Sequence, residues 1–394
     1  MNTYSHLWDI DPDSTYLNHG SFGPSPLEVR AVREEWSAKL ERQPMRFFCQ
    51  QMEELLKDAA QELAKFLQTK PARFAFVDNA TIAMNIVAAS VDLSEGDEVL
   101  FTDHEYGAVR NIWQEKCRLT GAKIITATLP FPLNDDGTVT AIESAITDRT
   151  KMIIVSHVTS PTAAILPVQR ICQVARQQGI LTAIDGPHAL AMLDVNLDAI
   201  GADFYCASCH KWLCAPFGSG FLWAHPRHHA DIKCPIISWG GSIAGHPATW
   251  QDKTNWLGTR DPAPVLSIPA AISFLKQVKL KTFREHAHQL VCHARRSLLE
   301  IEGIGPFCTA TEDDIVSMVA VELPQPKNWK PGYHGHPDPL QIELSDKYQI
   351  ETPVASWNGH RFLRVSAHMY NSVEQIDRLV KAVSHSANLG VAAG

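Results

Sequence analysis

The sequence predicts an α/β protein with a seven-stranded, mainly parallel sheet covered by helices on both faces, followed by a smaller α+β domain. Between Arg73 and Trp223, short apolar runs alternate with stretches of helical length, which is the pattern of successive βαβ units. Most of these runs are continuously apolar, as strands covered on both faces are. The chain of 394 residues also exceeds the size at which one hydrophobic core usually stops growing, which favours two domains.

Seven runs are predicted to be the strands of this sheet. They are Arg73–Val77, Glu98–Thr102, Lys123–Thr128, Lys151–His157, Leu181–Asp185, Asp203–Ala207 and Gly220–Trp223. Apolar residues at helical spacing predict two long helices before the sheet and two after it, and two further strands follow. These elements are Pro26–Gln50, Met52–Leu67, Pro269–Val278, Thr282–Glu300, Ile315–Glu322 and Arg361–Ala367. The Pro-, Gly-, Lys- and His-rich stretch Pro324–Asp338 is predicted to be an exposed loop.

Charge and composition exclude several classes of protein. The 35 basic and 43 acidic residues give a formal charge of −8, and no basic stripe offers a surface for nucleic acid. No apolar run approaches the length of a membrane span, and the first residues lack the basic and apolar regions of a signal peptide. We therefore expect a cytoplasmic protein that binds neither nucleic acid nor membranes.

The nine cysteines are predicted to be reduced thiols, because their number is odd and no secretion signal precedes them. Cys206, Cys209 and Cys214 are close together in the sequence, but no second ligand pair at zinc-finger spacing accompanies them. We expect these three to be small buried residues, and no metal site is predicted.

Lys211 is the first candidate for chemistry. It follows the predicted strand Asp203–Ala207 within a segment of small and aromatic residues that ends at Gly220. A lysine at the end of a strand is commonly just solvated. This stretch alone therefore leaves two possibilities, a solvated side chain or an amine nucleophile.

Asp185 ends the predicted strand Leu181–Asp185, at the edge where open α/β sheets bind ligands. Pyridoxal 5'-phosphate (PLP) requires such a carboxylate, because its charge keeps the pyridine nitrogen protonated and lets the ring accept electrons. Asp185 alone could equally cap a helix or a turn.

Asn79, Ala80 and Thr81 lie where the first predicted strand joins a helix that runs to Ala89. Free N–H groups and the helix dipole favour an anion there, and a phosphate would fit. The alternative is simple capping of the helix by Asn79 or Thr81.

The three sites lie at different strand ends of one sheet and would supply a phosphate site, a counter-ion and an amine nucleophile. In this order they resemble the class V branch of the fold-type I PLP-dependent enzymes. Within that branch the chain is similar to the isopenicillin N epimerase-like and hercynylcysteine sulfoxide lyase-like proteins. The motifs that carry the resemblance are Tyr16-Leu-Asn-His-Gly-Ser-Phe-Gly23, Gln43-Pro44, Asp103-His-Glu-Tyr-Gly-Ala108, Trp256-Leu-Gly-Thr-Arg-Asp261 and Leu363-Arg-Val-Ser-Ala-His-Met-Tyr-Asn371.

The resemblance implies a complete set of cofactor residues. Lys211 would form the internal Schiff base, Asp185 would pair with the pyridine nitrogen, and His188 would lie beside O3'. Phosphate contacts would come from one group of residues in the same chain, namely Asn79, Ala80, Thr81, Ser208 and His210. Thr259 would add a contact from the neighbouring subunit of a homodimer with shared active sites. Tyr106, or alternatively His104, would stack on the ring.

The resemblance also implies the substrate residues, while the change of sequence pattern beyond about Ser267 places the boundary of the second domain. Arg364 would bind the substrate α-carboxylate through two parallel hydrogen bonds, and Asn18, His19 and Gly20 would border the substrate pocket. A structural ion pair is the alternative role for Arg364. Residues 1–25 are expected to join the small domain and the rim of the active site, 26–266 to form the large domain, and 267–394 to form the small domain.

The expected reaction takes place at the Cα atom of a small amino-acid substrate, with Lys211 and Asp185 as catalytic groups beside His188 and Tyr106. Epimerisation or racemisation is the first expectation, and carbon–sulfur lyase or aminotransferase activity are the alternatives. Tyr348–His360 contains no cysteine, so persulfide formation as in cysteine desulfurases is disfavoured. A scaffold without activity is the least expected outcome. Candidates for a second acid are His19, His104 and Tyr106.

Overall fold

The computed structural model describes residues 4–239, 241–243, 245–308, 311–332 and 336–390. A short strand, β1 (Thr15–Tyr16), precedes the strands of the main sheet. The main-sheet strands are β2 (Phe74–Val77), β3 (Glu98–Thr102), β4 (Lys123–Ala127), β5 (Thr150–Ser156), β6 (Leu181–Asp185), β7 (Phe204–Ser208) and β8 (Gly220–Ala224). All seven predicted strands are confirmed, each end lying within one residue of its predicted position.

The strand order of the main sheet is β2-β8-β7-β6-β5-β3-β4. The pairs among β3, β4, β5, β6 and β7 are parallel, and β8 is antiparallel to both of its neighbours. Alternate residues of each strand enter different apolar clusters: Leu100 and Ile153 belong to one, Val99 and Ile154 to another. Both faces of the sheet are therefore covered, which is why these strands are apolar without interruption.

Helices connect and cover these strands. They are α1 (Leu27–Arg42), α2 (Pro44–Arg46), α3 (Met52–Phe66), α4 (Ala80–Ser90), α5 (Gly107–Thr120), α6 (Asp135–Ala145), α7 (Val168–Gln177), α8 (Leu197–Ile200), α9 (Trp250–Asn255), α10 (Ala263–Leu266), α11 (Ile268–Gln277), α12 (Leu280–Leu299), α13 (Pro339–Tyr348) and α14 (Val373–Ser384). The prediction of one helix over Pro26–Gln50 is wrong, because α1 ends at Arg42. Pro44 disfavours helical backbone at Gln43, whose φ and ψ are −147° and 67°.

The smaller sheet has the order β12-β13-β10-β9 and contains both strands predicted beyond the main sheet. Its strands are β9 (Gly305–Pro306), β10 (Met318–Glu322), β12 (Val354–Trp357) and β13 (His360–Ser366), and β11 (Ile350–Glu351) pairs with β1 instead. Residues from α12, α13, α14, β10 and β13 form a separate apolar cluster, which Leu17 joins from the N-terminal segment. That segment is thus attached to the smaller sheet.

No helix within the described ranges is long and apolar enough to cross a membrane. All nine cysteines are free, as the sequence predicts. In the stretch predicted to be an exposed loop, the described residues are mostly exposed or half-buried, but the last one, Asp338, is 3% exposed. The prediction of exposure is therefore wrong at the end of the loop, because the Asp338 carboxylate is buried in an ion pair with Arg361.

Candidate active site

The carboxyl ends of four strands carry most of the predicted site. Asp185 ends β6 and Ser208 ends β7, while Asn79 follows β2 and Tyr106 follows β3. Because β2, β3, β6 and β7 all point the same way in the sheet, these residues lie at one edge of it.

Both the side chain and the backbone of Lys211 have hydrogen-bond partners. Its Nζ atom lies 3.1 Å from His188 Nε2, and its carbonyl oxygen accepts a hydrogen bond of 2.9 Å from the Cys214 amide. The Trp212 indole N–H, which can only donate, gives a hydrogen bond of 3.3 Å to His188 Nδ1. A neutral His188 therefore carries its proton on Nε2 and donates it to the lone pair of the Lys211 amine.

The charges at this edge affect one another. Burial lowers the pKa of Lys211, Asp185 opposes that shift, and Arg364 adds to it. Burial raises the pKa of Asp185, and the positive charge of Lys211 opposes the rise. A buried carboxyl group and a half-buried amine at the same strand edge form a site whose protonation depends on what binds there.

The predicted phosphate residues surround the start of α4. The Ala80 amide donates to Ser208 Oγ at 2.9 Å, and Asn79 caps the helix by accepting from the Ile82 amide at 3.1 Å. Both the capping role and the anion role proposed for this segment are compatible with that geometry. His210 Nδ1 is buried and has no hydrogen-bond partner among the described residues.

Thr259 is exposed. Its neighbour Arg260 pairs with Asp78, directly before Asn79. This ion pair attaches the segment Trp256–Asp261 to the predicted phosphate end of the site within one chain. A contact from Thr259 to the site of a second subunit stays a prediction.

Arg364 lies on β13, is 4% exposed, and makes three hydrogen bonds to neutral oxygens. Nη1 donates to the Ser160 carbonyl at 2.5 Å, while Nη2 donates to Asn18 Oδ1 at 2.9 Å and to Ser21 Oγ at 2.6 Å. Its Nε atom is buried without a partner in the described part of the chain. Burial lowers the pKa of Arg364 to about 10, so the guanidinium stays charged near neutral pH.

The structure separates the two candidates for the stacking residue. Tyr106 is 45% exposed and close enough to Arg364 to influence its pKa. His104 is 1% exposed, with Nδ1 bonded to Thr162 Oγ1 at 2.8 Å and its ring 4.1 Å from that of Trp357. Of the two, only Tyr106 has a side chain available to a ligand.

The three N-terminal residues of the predicted substrate pocket occupy different positions. Asn18 reaches Arg364 directly. Gly20 packs against the smaller sheet, where a Cβ atom would lie 2.6 Å from Met318 Sδ and 3.5 Å from His188 Cε1. His19 has no exposed surface and lies behind Lys211, with Nε2 3.2 Å from the Lys211 carbonyl oxygen.

One buried group of possible metal ligands lies beside Lys211. Ligand atoms of His19, Cys214 and His368 lie within 4.8 Å of one another. Both nitrogens of His19 already have partners, Tyr370 and Lys211, so this group does not offer three free donors. Cys206, Cys209 and Cys214 are all fully buried, and burial raises the pKa of each thiol.

Several residues of the site were not predicted. Trp212 fixes the proton of His188, and Ser21 and Ser160 bind Arg364. Glu105 accepts hydrogen bonds from Thr102 and Ser156 and so joins the Tyr106 loop to β5. Trp212, Ser21 and Glu105 are adjacent to predicted site residues or within the quoted motifs, but Ser160 carries no such signal.

The residues at this edge fit PLP. Lys211 offers an amine for its aldehyde, Asp185 a carboxyl group for its pyridine nitrogen, and the start of α4 with Ser208 a place for its phosphate. Among the buried nitrogens that have no partner in the described part of the chain, Arg364 Nε is a donor available to an anionic group, and His210 Nδ1 is one when it carries the ring proton. The roles of individual residues remain predictions from the sequence.

Comparison with known proteins identifies the family. The Aminotransferase class-V family matches residues 28–379. The chain is 35% identical over 388 residues to isopenicillin N epimerase of Amycolatopsis lactamdurans, with 95% of both chains covered. It is 26% identical over 407 residues to a probable chloroplastic L-cysteine desulfhydrase of Arabidopsis thaliana, covering 95% of this chain and 83% of that one. Its fold is similar to that of a C-DES variant with glycine covalently linked to the PLP cofactor, with a TM-score of 0.82, 19% identity and coverage of 95% and 97%. The resemblance is therefore confirmed, and this chain belongs to the class V aminotransferase family of PLP-dependent enzymes.

Proposed function

We propose that this enzyme is an epimerase or racemase that inverts the Cα centre of an amino acid or of a substrate containing one. The observation that carries the proposal is the 35% identity to isopenicillin N epimerase along 95% of both chains. The site supports chemistry at an amino-acid Cα, because Arg364 offers a buried cation for a carboxylate and Lys211 offers an amine at the same strand edge.

Lys211 is the proposed base. When bound, PLP supplies an electron sink that makes the Cα proton of an amino acid acidic. Burial and the charge of Arg364 lower the pKa of the Lys211 amine, which increases the fraction that is neutral and able to accept a proton. The hydrogen bond from His188 keeps this amine directed into the site.

Tyr106 is the proposed second acid, because inversion requires a proton to leave one side of Cα and return to the other. His19 and His104, the other candidates, are buried and hydrogen-bonded elsewhere. The Tyr106 side chain is 45% exposed and follows β3 at the edge that carries Lys211. Replacing Tyr106 with Phe should slow inversion about 100-fold, which is the lower range for loss of an acid or base, while proton removal by Lys211 continues.

A carbon–sulfur lyase is the second candidate. It is favoured by the 26% identity to a probable L-cysteine desulfhydrase along 95% of this chain. Such an elimination needs no cysteine on the protein, so it is compatible with the absence of cysteine from Tyr348–His360. Transamination is the third possibility, because it begins with the same proton removal at Cα.

One incubation distinguishes these reactions. The holoenzyme is mixed in deuterated water with isopenicillin N, with cysteine and cystine, and with a panel of other L-amino acids. Deuterium at Cα with loss of optical purity and without pyruvate supports the epimerase. Pyruvate and sulfide would support the lyase instead, and accumulation of an oxo acid would support the transaminase.

We also propose a cytoplasmic homodimer in which each active site is completed by both chains. Its motivation is the exposure of Ile237 and Trp239, at 93% and 84%, in the stretch that leads to Thr259. Exposed apolar side chains that are contiguous in a patch commonly mark a protein interface, and nine free thiols suit a reducing compartment. A monomer with full activity in sedimentation experiments would contradict the dimer.

A further inference from the structure

His19 is the conspicuous residue of the N-terminal motif that the proposed function does not use. Its ring is completely buried, yet it contacts the backbone of the residue proposed to hold the cofactor. His19 Nε2 lies 3.2 Å from the Lys211 carbonyl oxygen, and Nδ1 lies 3.0 Å from the Tyr370 hydroxyl.

These two contacts define the protonation of the ring. A carbonyl oxygen can only accept, so His19 Nε2 must carry the proton and donate it to Lys211. In a neutral ring Nδ1 then accepts from the Tyr370 hydroxyl. Burial lowers the pKa of His19 to about 3, which is consistent with a neutral ring that acts as a fixed donor.

The surroundings of His19 leave little freedom for the ring. The His368 ring stacks on it with 4.1 Å between centroids, and the Trp212 ring lies at 5.0 Å. A Cβ atom on Gly23 would lie 2.7 Å from both His19 Nε2 and the His210 carbonyl oxygen. Glycine at position 23 therefore allows the N-terminal segment to approach the Lys211 loop this closely.

The Lys211 carbonyl consequently has two donors, the Cys214 amide and the His19 ring. Cys214 itself has a φ of +61°, in the left-handed region, which ordinary residues adopt at a cost. A lysine amine lies at the end of a flexible four-carbon chain, so its position depends on how well the hydrogen bonds of its backbone fix the Cα atom.

We infer that His19 is a positioning residue for Lys211, acting through the Lys211 carbonyl, rather than an acid, a base or a substrate ligand. Tyr370 supports it by fixing the proton on Nε2. The inference rests on the proposed role of Lys211, and it assigns to His19 a function toward the Lys211 backbone, whereas Asn18 of the same motif contacts Arg364.

Two variants of His19 separate this role from simple core filling. The amide nitrogen of Gln can replace Nε2, so His19→Gln retains a donor to Lys211 and loses the Tyr370 contact. The amide of Asn replaces Nδ1, so His19→Asn retains the Tyr370 contact and loses the donor to Lys211. Both changes place a polar amide in the same buried site, and each serves as the control for the other.

The readout is capture of PLP by the apoprotein, which is prepared from the holoenzyme with hydroxylamine. The rate is followed by visible absorbance, and the adduct is trapped with borohydride and located by peptide mass spectrometry. We expect His19→Gln to remain within about 3-fold of the wild type and His19→Asn to be slowed about 10- to 100-fold, since misplacement of a reacting group by about 1 Å costs up to 100-fold.

Equal rates for the two variants, whether near the wild type or equally slow, would overturn the inference. Circular dichroism and thermal unfolding establish that both are folded. If His19→Asn does not fold, Gly23→Ala disturbs the contact between His19 and the Lys211 loop from the other side. Capture of PLP by Gly23→Ala at the wild-type rate would then overturn the inference. A wild type that captures PLP on Lys211 but does not epimerise any substrate would contradict only the proposed reaction.

Discussion

Two buried arginines lie three residues apart on β13 and have opposite environments. Arg361 has no exposed surface and makes five hydrogen bonds, two of them to the Asp338 carboxylate at 2.6 and 2.8 Å. The other three go to carbonyl oxygens, those of Pro324, Leu389 and Asn388. Its charge is matched and all its donors are used.

Arg364, almost equally buried, makes three hydrogen bonds to neutral oxygens, and its Nε atom has no hydrogen-bond partner among the described residues. Within the described ranges no carboxylate lies within ion-pair distance of it. A buried charge without a counter-charge is costly to a folded protein. The difference is consistent with a structural role for Arg361 and with the predicted role of Arg364 in binding the carboxylate of a substrate.

The largest expected effect is at Lys211, the half-buried amine whose hydrogen-bonded side-chain partner, His188, is neutral. Lys211→Ala should lower turnover by about 1000-fold or more, because it removes the proposed base and the attachment point of the cofactor. The midpoint of thermal unfolding of the apoprotein should change little, since the side chain has one polar contact. Stopped-assay kinetics and calorimetry measure the two quantities, and appreciable remaining turnover would refute the role of Lys211.

Arg361→Met should affect stability instead of chemistry. It leaves the Asp338 carboxylate buried without its partner, and breaking a buried pair in this way costs about 3–5 kcal/mol. Urea unfolding measures the loss, and kcat/KM of the folded fraction should remain near that of the wild type. A stable Arg361→Met protein would show that the Asp338 pair does not hold the end of the loop in place.

Arg364→Lys and Arg361→Lys form a matched pair, the same substitution on one strand. Lysine cannot make two parallel hydrogen bonds to a carboxylate, so Arg364→Lys should lower kcat/KM about 10- to 100-fold, since a charge-assisted hydrogen bond contributes about 1.5–3 kcal/mol. Arg361→Lys should lower stability and leave kcat/KM nearly unchanged. Steady-state kinetics with amino-acid substrates measures kcat/KM of both variants. An equal loss of kcat/KM in the two would contradict the proposed difference between the two arginines.

The fold and the strand-end part of the site could be predicted because their signals are local. Continuous apolar runs mark β2 through β8, and Asp185 and Asn79 were chosen because they lie at or just beyond the ends of two of those strands. The resemblance then placed Arg364 and Tyr106 among the site residues. At the strand ends, the residues nearby in sequence determine the local structure, so the pattern of those residues is enough to predict it.

The remaining features depend on contacts between distant parts of the chain. Without the resemblance, residue type and spacing do not distinguish Arg361 from Arg364, because the partner of Arg361, Asp338, lies in a stretch whose composition predicts an exposed loop. His19 was predicted at the substrate pocket from its motif, and its contact with the Lys211 carbonyl spans 192 positions. The tautomer of His188 likewise depends on the direction of the Trp212 indole, which no spacing rule specifies.

The smallest predicted effect concerns two serines at opposite ends of α4 that accept backbone hydrogen bonds in the same way. Ser208 Oγ accepts from the Ala80 amide at 2.9 Å, and Ser90 Oγ accepts from the Lys233 amide at 2.9 Å. Ser208→Ala should weaken PLP binding about 5- to 10-fold, since it removes one hydroxyl donor from the predicted phosphate end and a single hydrogen bond contributes about 1 kcal/mol.

Ser90→Ala removes an equivalent hydroxyl far from the predicted phosphate end and should leave PLP affinity unchanged, although both variants should lose a similar amount of stability. Equilibrium titration of each apoprotein with PLP measures the affinities, and thermal unfolding without PLP measures the stabilities. If the two variants bound PLP equally well, the hydroxyl of Ser208 would have the same purely structural role as that of Ser90, and the start of α4 would have to bind the phosphate through its backbone amides alone.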